Sequence, residues 1–298
     1  MTSDTNWLHT ALEVLSTEAG WRYAPQGPLA CEPAALAALA LAGHGRLDAA
    51  RSACDWLLAQ QGSDGSVGVY TGQTQPGWPT GWALLAWHAW QRGTASRHFQ
   101  QAIDRAAAYL LAWEGKPLPR TPEMGHNTML VGWPWVEHTH SWSEPTAINV
   151  LALRSVGQGR HARVQEGITL LIDRLLPRGG CNYGNTVVLG QELRPHVQPT
   201  GLVLLALARQ PTADPRVAAS LDWLHSAVHE RLAAGPLAYA LLGLAAHDRL
   251  PREWAAWLPG AAARVCARSW GRHVLALLAL AALAERSPLV GVLEGSER

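Results

Sequence analysis

"EPTAINVLALRSVG", residues 144–157, opens on Glu-Pro and then runs apolar around nearly every face of a helix. A helix lying on a protein surface keeps a polar stripe, so one without a stripe must be enclosed on all sides. Five more stretches share the design: "EPAALAALALAG" (32–43), "PTGWALLAWHAW" (79–90), "QPTGLVLLALARQ" (198–210), "GPLAYALLGLAAHD" (235–248) and "GRHVLALLALAALAE" (271–285). Proline recurs at 33, 79, 145, 199 and 236. This predicts proline at the first helical position, where its missing N–H costs nothing.

Charge-bearing amphipathic segments alternate with these, at roughly 5–18, 46–60, 98–113, 160–176, 213–230 and 251–267. Their apolar residues recur at helical spacing. Six enclosed helices paired with six amphipathic ones describe an all-α (α/α)6 toroid, a double ring of inner and outer helices. An open solenoid has the same local grammar, and the uniformly apolar inner helices favour closure. The expected organisation is one domain over 1–298, with a short C-terminal tail from about 286.

The links are unequal. Inner-to-outer links are short, as in "GHG" (43–45), whereas outer-to-inner links are long at about 19–31, 61–78, 114–143 and 177–197. All inner-helix N-termini therefore share one end with the long loops, and long loops inside a compact domain are usually functional.

Composition narrows the classes. Net charge is +1 with 16% charged residues, which leaves no basic field for nucleic acid and no polybasic run for lipid. The longest apolar run, 274–284, is too short for a membrane span. The start, "MTSDTNWLHTALEVLS", lacks a basic segment followed by an apolar one, and Cys31, Cys54, Cys181 and Cys266 lie far apart without CxxC spacing. Reduced thiols in a cytoplasmic protein are the expectation, with a partner subunit left open.

Three stretches carry a family resemblance: "DWLLAQQGSDGSVGV" (55–69), "LLPRGGCNYGN" (175–185) and "SWSEPTAINVLAL" (141–153). Over about residues 5–285 the chain resembles the α/α toroids of terpenoid cyclases and protein prenyltransferases, the superfamily of squalene–hopene cyclase. The first stretch is similar to their Gln/Trp repeat, with Gln61, Asp64 and Gly65 in place and Val67-Gly68 where Trp is usual. The resemblance implies a central, aromatic-lined cavity and an apolar, isoprenoid-like small-molecule substrate. No Asp-x-Asp-Asp occurs, and no Asp-x-Cys pair begins a helix ahead of a later His, so neither reaction's residues carry over.

The chemistry must then be read from the residues. Glu32 and Glu144 each precede the proline of an inner helix, and Gln198 holds the same place. Glu is a poor N-cap, so these are either acceptors for loop N–H groups or acid–base catalysts. His140 lies near Glu144 and is the expected partner. Tryptophans 78, 82, 133, 135, 142 and 270 fall at or before inner-helix starts, as does Trp21, and Trp outnumbers Phe by 15 to 1. Either they pack under loops or they line a wall that grips an apolar ligand. Of these, Trp78, Trp82, Trp133, Trp135 and Trp142 are the candidates for substrate binding, with Asn182, Tyr183, Asn185 and His196 on the 177–197 loop and Gln198 beside it. His138, His140, Cys181 and His196 are zinc-type ligands, but no complete ligand spacing is present, so no metal or other cofactor is expected. The leading expectation is a terpenoid-cyclase-like enzyme. The alternatives are a carbohydrate-active α6/α6 enzyme with paired carboxylates, and a noncatalytic lipid- or protein-binding toroid.

Overall fold

The computed structural model describes residues 4–291 apart from 74, 122, 269 and 270. Six inner helices form a closed ring: α2 (Cys31–Gly43), α4 (Thr80–Thr94), α6 (Ser143–Ser155), α8 (Val197–Leu207), α10 (Ala234–Ala245) and α12 (Val274–Ala281). Each packs on the next, and α12 returns to α2, which closes the circle. Outside them lie α1 (Asp4–Leu15), α3 (Leu47–Ala59), α5 (Gln100–Ala112), α7 (Ala162–Asp173), α9 (Pro215–Ala227) and α11 (Trp254–Cys266). The sole sheet among the described residues is a hairpin, β1 (Val187–Val188) with β2 (Gln191–Glu192). The chain is thus an all-α toroid, as the alternation of segments predicts.

Enclosure is complete. All of 33–41 in α2, 143–154 in α6, 199–207 in α8, 237–245 in α10 and 275–281 in α12 is buried. Whichever residues face the ring axis, they expose almost nothing. Among the described residues the barrel is therefore filled with side chains, and they leave no Trp-lined central cavity. Among the described residues no helix is long and apolar enough to cross a membrane.

Prolines 33, 145, 199 and 236 occupy the third helical position rather than the first. The first four N–H groups of a helix all lack internal partners, so the missing donor is equally harmless there. The segment from about 286, expected as a tail, begins as the short helix α13 (Pro288–Gly291), which docks on α2 and buries Leu289.

The loops are fastened to the inner helices by one repeated device. Thr80, Thr146 and Thr200 each follow an inner-helix proline and are fully buried. Their hydroxyls accept the backbone N–H of Val67 at 2.8 Å, Trp133 at 3.0 Å and Cys181 at 2.9 Å. Gln61, in the Gln/Trp-like stretch, donates to the carbonyls of Gly65 and Ala102 and so ties the end of α3 to α5. Gly65 adopts φ +91°, and a Cβ there would run into the Arg105 carbonyl. The motif thus fixes two outer helices at a set distance.

Replacing Thr146 with Val keeps shape and removes the acceptor, leaving the Trp133 N–H buried and unmet. The expected loss is about 1–3 kcal/mol, read by urea unfolding with unchanged helical circular dichroism. A loss of only a few tenths would show that the hydroxyl is not what holds the loop.

Candidate active site at the inner-helix mouth

The residue before proline is Glu32 on α2, Glu144 on α6, Gln198 on α8 and Gly235 on α10, and Trp78 holds the same place just ahead of α4. The register thus sets one residue from each of five inner helices around a common mouth. Glu32 accepts a 2.6 Å hydrogen bond from the Tyr23 hydroxyl, brought in by the loop before α2. Glu144, 8% exposed, accepts a 2.9 Å bond from the Gln198 amide.

The two carboxyls differ electrostatically. Burial pushes Glu32 up to about 7, the Tyr23 hydrogen bond pulls the other way, and the charge of Glu144 adds to the rise. Burial also raises Glu144, opposed by the Gln198 hydrogen bond. The two carboxyls thus lie within electrostatic reach of each other, and charge on one disfavours charge on the other. Tyr239 on α10 lies between them in this sense: burial first, then Glu32 and Glu144, hold its hydroxyl well above the ordinary value. His273 meets Tyr23 edge-on at 5.0 Å and is pushed down to about 4 by burial. The arrangement sets two carboxyls, both raised by burial, on alternate helices of the ring.

The rim is aromatic. Trp78 and Trp135 are half-buried and meet edge to face at 5.0 Å. Trp142 is half-buried against His140, with ring centres 4.6 Å apart. Tyr183 is exposed, lies 5.2 Å from the His196 ring, and accepts the Ser143 N–H at the start of α6 through its carbonyl. Asn182 donates to the Arg194 carbonyl and so shapes its own loop.

The expectations for Trp133, Trp82 and His140 are corrected. Trp133 is fully buried, donates its indole N–H to the Leu110 carbonyl at 2.8 Å and lies under the Arg163 guanidinium. It is a strut between helices, not a pocket wall. Trp82 is likewise wholly buried within the ring. His140 bonds neither carboxylate. It lines a separate cleft with His126, Arg174 and Asn185, and burial and the Arg174 charge hold its pKa down. Cys181 is buried, and desolvation pushes its thiol up to about 12. Among the described residues no three His, Cys, Asp or Glu side chains converge on one point, so His138, His140, Cys181 and His196 do not form a site. Trp270 lies outside the described residues.

Tyr23, Tyr239 and His273 were not singled out by the sequence reading. Tyr239 had a signal: it stands four residues after Gly235, one turn below the pre-proline position and on the same face. Tyr23 had none, because its contact depends on how a loop crosses the mouth.

No protein-family model matches the chain, and no curated protein does. Solved structures do match. A GH76 α-mannanase from Bacteroides thetaiotaomicron is similar with a TM-score of 0.61 at 11% identity, covering 95% of this chain and 96% of that one. A glycosidase in complex with glucose gives 0.56 at 14% identity, over 98% of both chains. Salmonella α2-macroglobulin reacted with methylamine gives 0.57 at 15% identity, over 93% of this chain, which spans only 17% of that protein. Identities this low show a shared toroid and nothing finer.

The Glu32 shift has a sign. Its folded pKa of about 7 lies above the ordinary 4.5, so between those values the folded protein holds the extra proton. Stability therefore falls as pH rises from about 4.5 to 7 and levels off beyond. Glu32→Gln removes this dependence and is expected to gain about 1–3 kcal/mol at pH 8 and little at pH 4.5. Thermal unfolding at both pH values checks it, and an equal effect at the two would contradict the shift.

Proposed function

We propose that the chain is a carbohydrate-active α6/α6 enzyme that hydrolyses glycosidic bonds at the inner-helix mouth. One observation carries the reading: two carboxyls, Glu32 and Glu144, hold the same pre-proline place on alternate inner helices, each raised by burial and with the Glu144 charge adding to the rise of Glu32. Glycoside hydrolysis uses such a pair, one carboxylic acid and one carboxylate flanking the scissile bond. Glu32 donates its proton to the glycosidic oxygen as the bond from the anomeric carbon to that oxygen breaks. Glu144 stabilises the positive charge that develops and assists the attack of water, whose proton it accepts. Tyr23 orients the Glu32 carboxyl and Gln198 that of Glu144. The half-buried faces of Trp78, Trp135 and Trp142 offer apolar platforms for sugar rings. The matches to glycosidases along their full length support this reading, with 1–298 acting as one catalytic domain.

A terpenoid-cyclase reading shares the toroid and the Gln61 clamp but needs an interior chamber, and the filled barrel leaves none for an isoprenoid chain. The second reading is a noncatalytic toroid that binds sugars at the mouth. The same filled barrel favours it, since no deep pocket is needed for surface recognition. Three buried free cysteines suit a reducing compartment such as the cytoplasm.

The experiment is a panel of aryl glycosides and oligosaccharides, with products followed by mass spectrometry. Hydrolysis that falls about 100-fold or more in Glu32→Gln and in Glu144→Gln, with folding intact, is the expected outcome. The alkaline limb of the rate profile should lie near the Glu32 pKa of about 7. Binding without turnover would select the second reading, and turnover that survives both substitutions would remove these residues from the chemistry.

A further inference from the structure

Beside the mouth, between the 114–143 and 177–197 loops, lies a small cleft of about 140 Å³ whose wall includes Lys116, His126, Thr128, His140, Arg174 and Asn185. The two carboxyls proposed for catalysis are not among its lining residues.

The polar groups here are incompletely used. Arg174 is 4% exposed, and its Nη1 is committed to the Asp173 carboxylate and the Asn127 carbonyl. Among the described residues its Nε finds no acceptor, nor does the hydroxyl of Thr128, which is 7% exposed. The Nε edge of a guanidinium is one side of the fork that grips a carboxylate or phosphate with two parallel bonds. A buried polar atom left unmet costs about 1–3 kcal/mol, and both of these belong to residues that line the cleft. His126 receives the Thr186 N–H at its Nδ1, which leaves the proton of the neutral ring on Nε2 as a further donor. Burial and the Arg174 charge hold His126 down to about 4, so the ring is neutral. Asp173 offsets one positive charge, and Lys116 at the cleft edge leaves the lining cationic.

We propose that this cleft is an oxyanion-binding subsite, with Arg174, Thr128 and His126 as donors, and that it takes the acidic group of a sugar. The assignment to a sugar rests on the carbohydrate reading above; the oxyanion site does not. Position links the two. Trp142 meets His140 of the cleft wall at a tilt, with ring centres 4.6 Å apart, and stands two residues before Glu144. A saccharide reaching from the carboxyls across Trp142 would bring a carboxylate or phosphate substituent into the cleft.

The test is calorimetric titration of the full chain with glucose, glucuronate, glucose 6-phosphate and inorganic phosphate. At least one anionic sugar is expected to bind 10-fold or more tighter than glucose, and the stronger of the two identifies the oxyanion. Thr128→Val, which deletes an unpaired buried hydroxyl, should leave thermal stability unchanged or raised while weakening that ligand 3-fold or more. Arg174→Gln should abolish the preference for charge. Because Arg174 also braces Asp173 and Asn127, Thr128→Val keeps the test open should that variant fold poorly. Equal affinity for charged and neutral sugars with no phosphate binding, or a Thr128→Val protein that binds like the wild type, overturns the subsite. Phosphate binding with no gain for either acidic sugar overturns the assignment to a sugar. Binding is read without turnover, so an anion-selective protein that cleaves no glycoside would sink the hydrolase reading alone.

Discussion

The structure depends on the burial of six helices on every side, because backbone polar groups at both ends of each must then be met by protein rather than water. At the mouth the device is a threonine after proline: Thr80, Thr146 and Thr200 meet the N–H groups of loops that cross above them. At the opposite end long polar side chains reach sideways to a neighbouring helix. His44 contacts the Ala279 carbonyl at 2.9 Å, His247 that of Leu204 at 2.9 Å, and Arg154 donates to that of Ala206 at 2.7 Å. Between the rings, Trp87 and Trp90 on α4 donate their indole N–H to the Cys54 and Leu47 carbonyls of α3. This explains Trp in place of Phe at these two positions. A strut that spans two layers and ends on a carbonyl needs both a large apolar body and a donor at its tip.

The site follows from where these fastenings are absent. On α2 and α10 the residue after proline is Ala34 and Leu237, so neither helix holds a loop by a threonine hydroxyl. Glu32 and Tyr239 come from those two helices. Glu144 shares its helix with Thr146, yet the threonine faces Trp133 while the carboxylate meets Gln198. A carboxylate at a helix N-terminus gains from the aligned peptide dipoles, and desolvation works against that gain. At Glu32, with a tyrosine as its single hydrogen-bond partner, desolvation wins.

The fold was legible because two independent signals agreed, all-round apolar character and a recurring proline. Each describes one helix at a time and needs no tertiary knowledge. The pre-proline register also pointed to Glu32, Glu144 and Gln198 as neighbours in the ring. What sequence could not supply was the facing of residues in the 114–143 loop. Trp133 and Trp135 are two apart in the chain, yet one is a sealed strut and the other stands on the rim, with the path of the loop deciding between them. The same ambiguity set His140 beside Glu144 in the sequence reading, whereas the loop turns its ring toward His126 and Arg174. Nor does composition reveal whether a ring is hollow. Leucines and alanines that line a chamber and those that fill one look alike until side-chain volume is matched to the diameter of the ring.

A filled barrel confines recognition to what rises above the plane of the two carboxyls. The long loops do not surround that plane evenly. Those at 16–30, 60–79, 113–142 and 174–196 precede α2, α4, α6 and α8, whereas only 228–233 precedes α10. The mouth is therefore walled from α2 round to α8 and low over α10. That leaves an approach to the carboxyls over α10, facing the loop wall that carries Trp142 and the cationic cleft. Directionality in such a protein comes from unequal loop length on a near-symmetric ring, since the ring itself repeats the same helix pair six times.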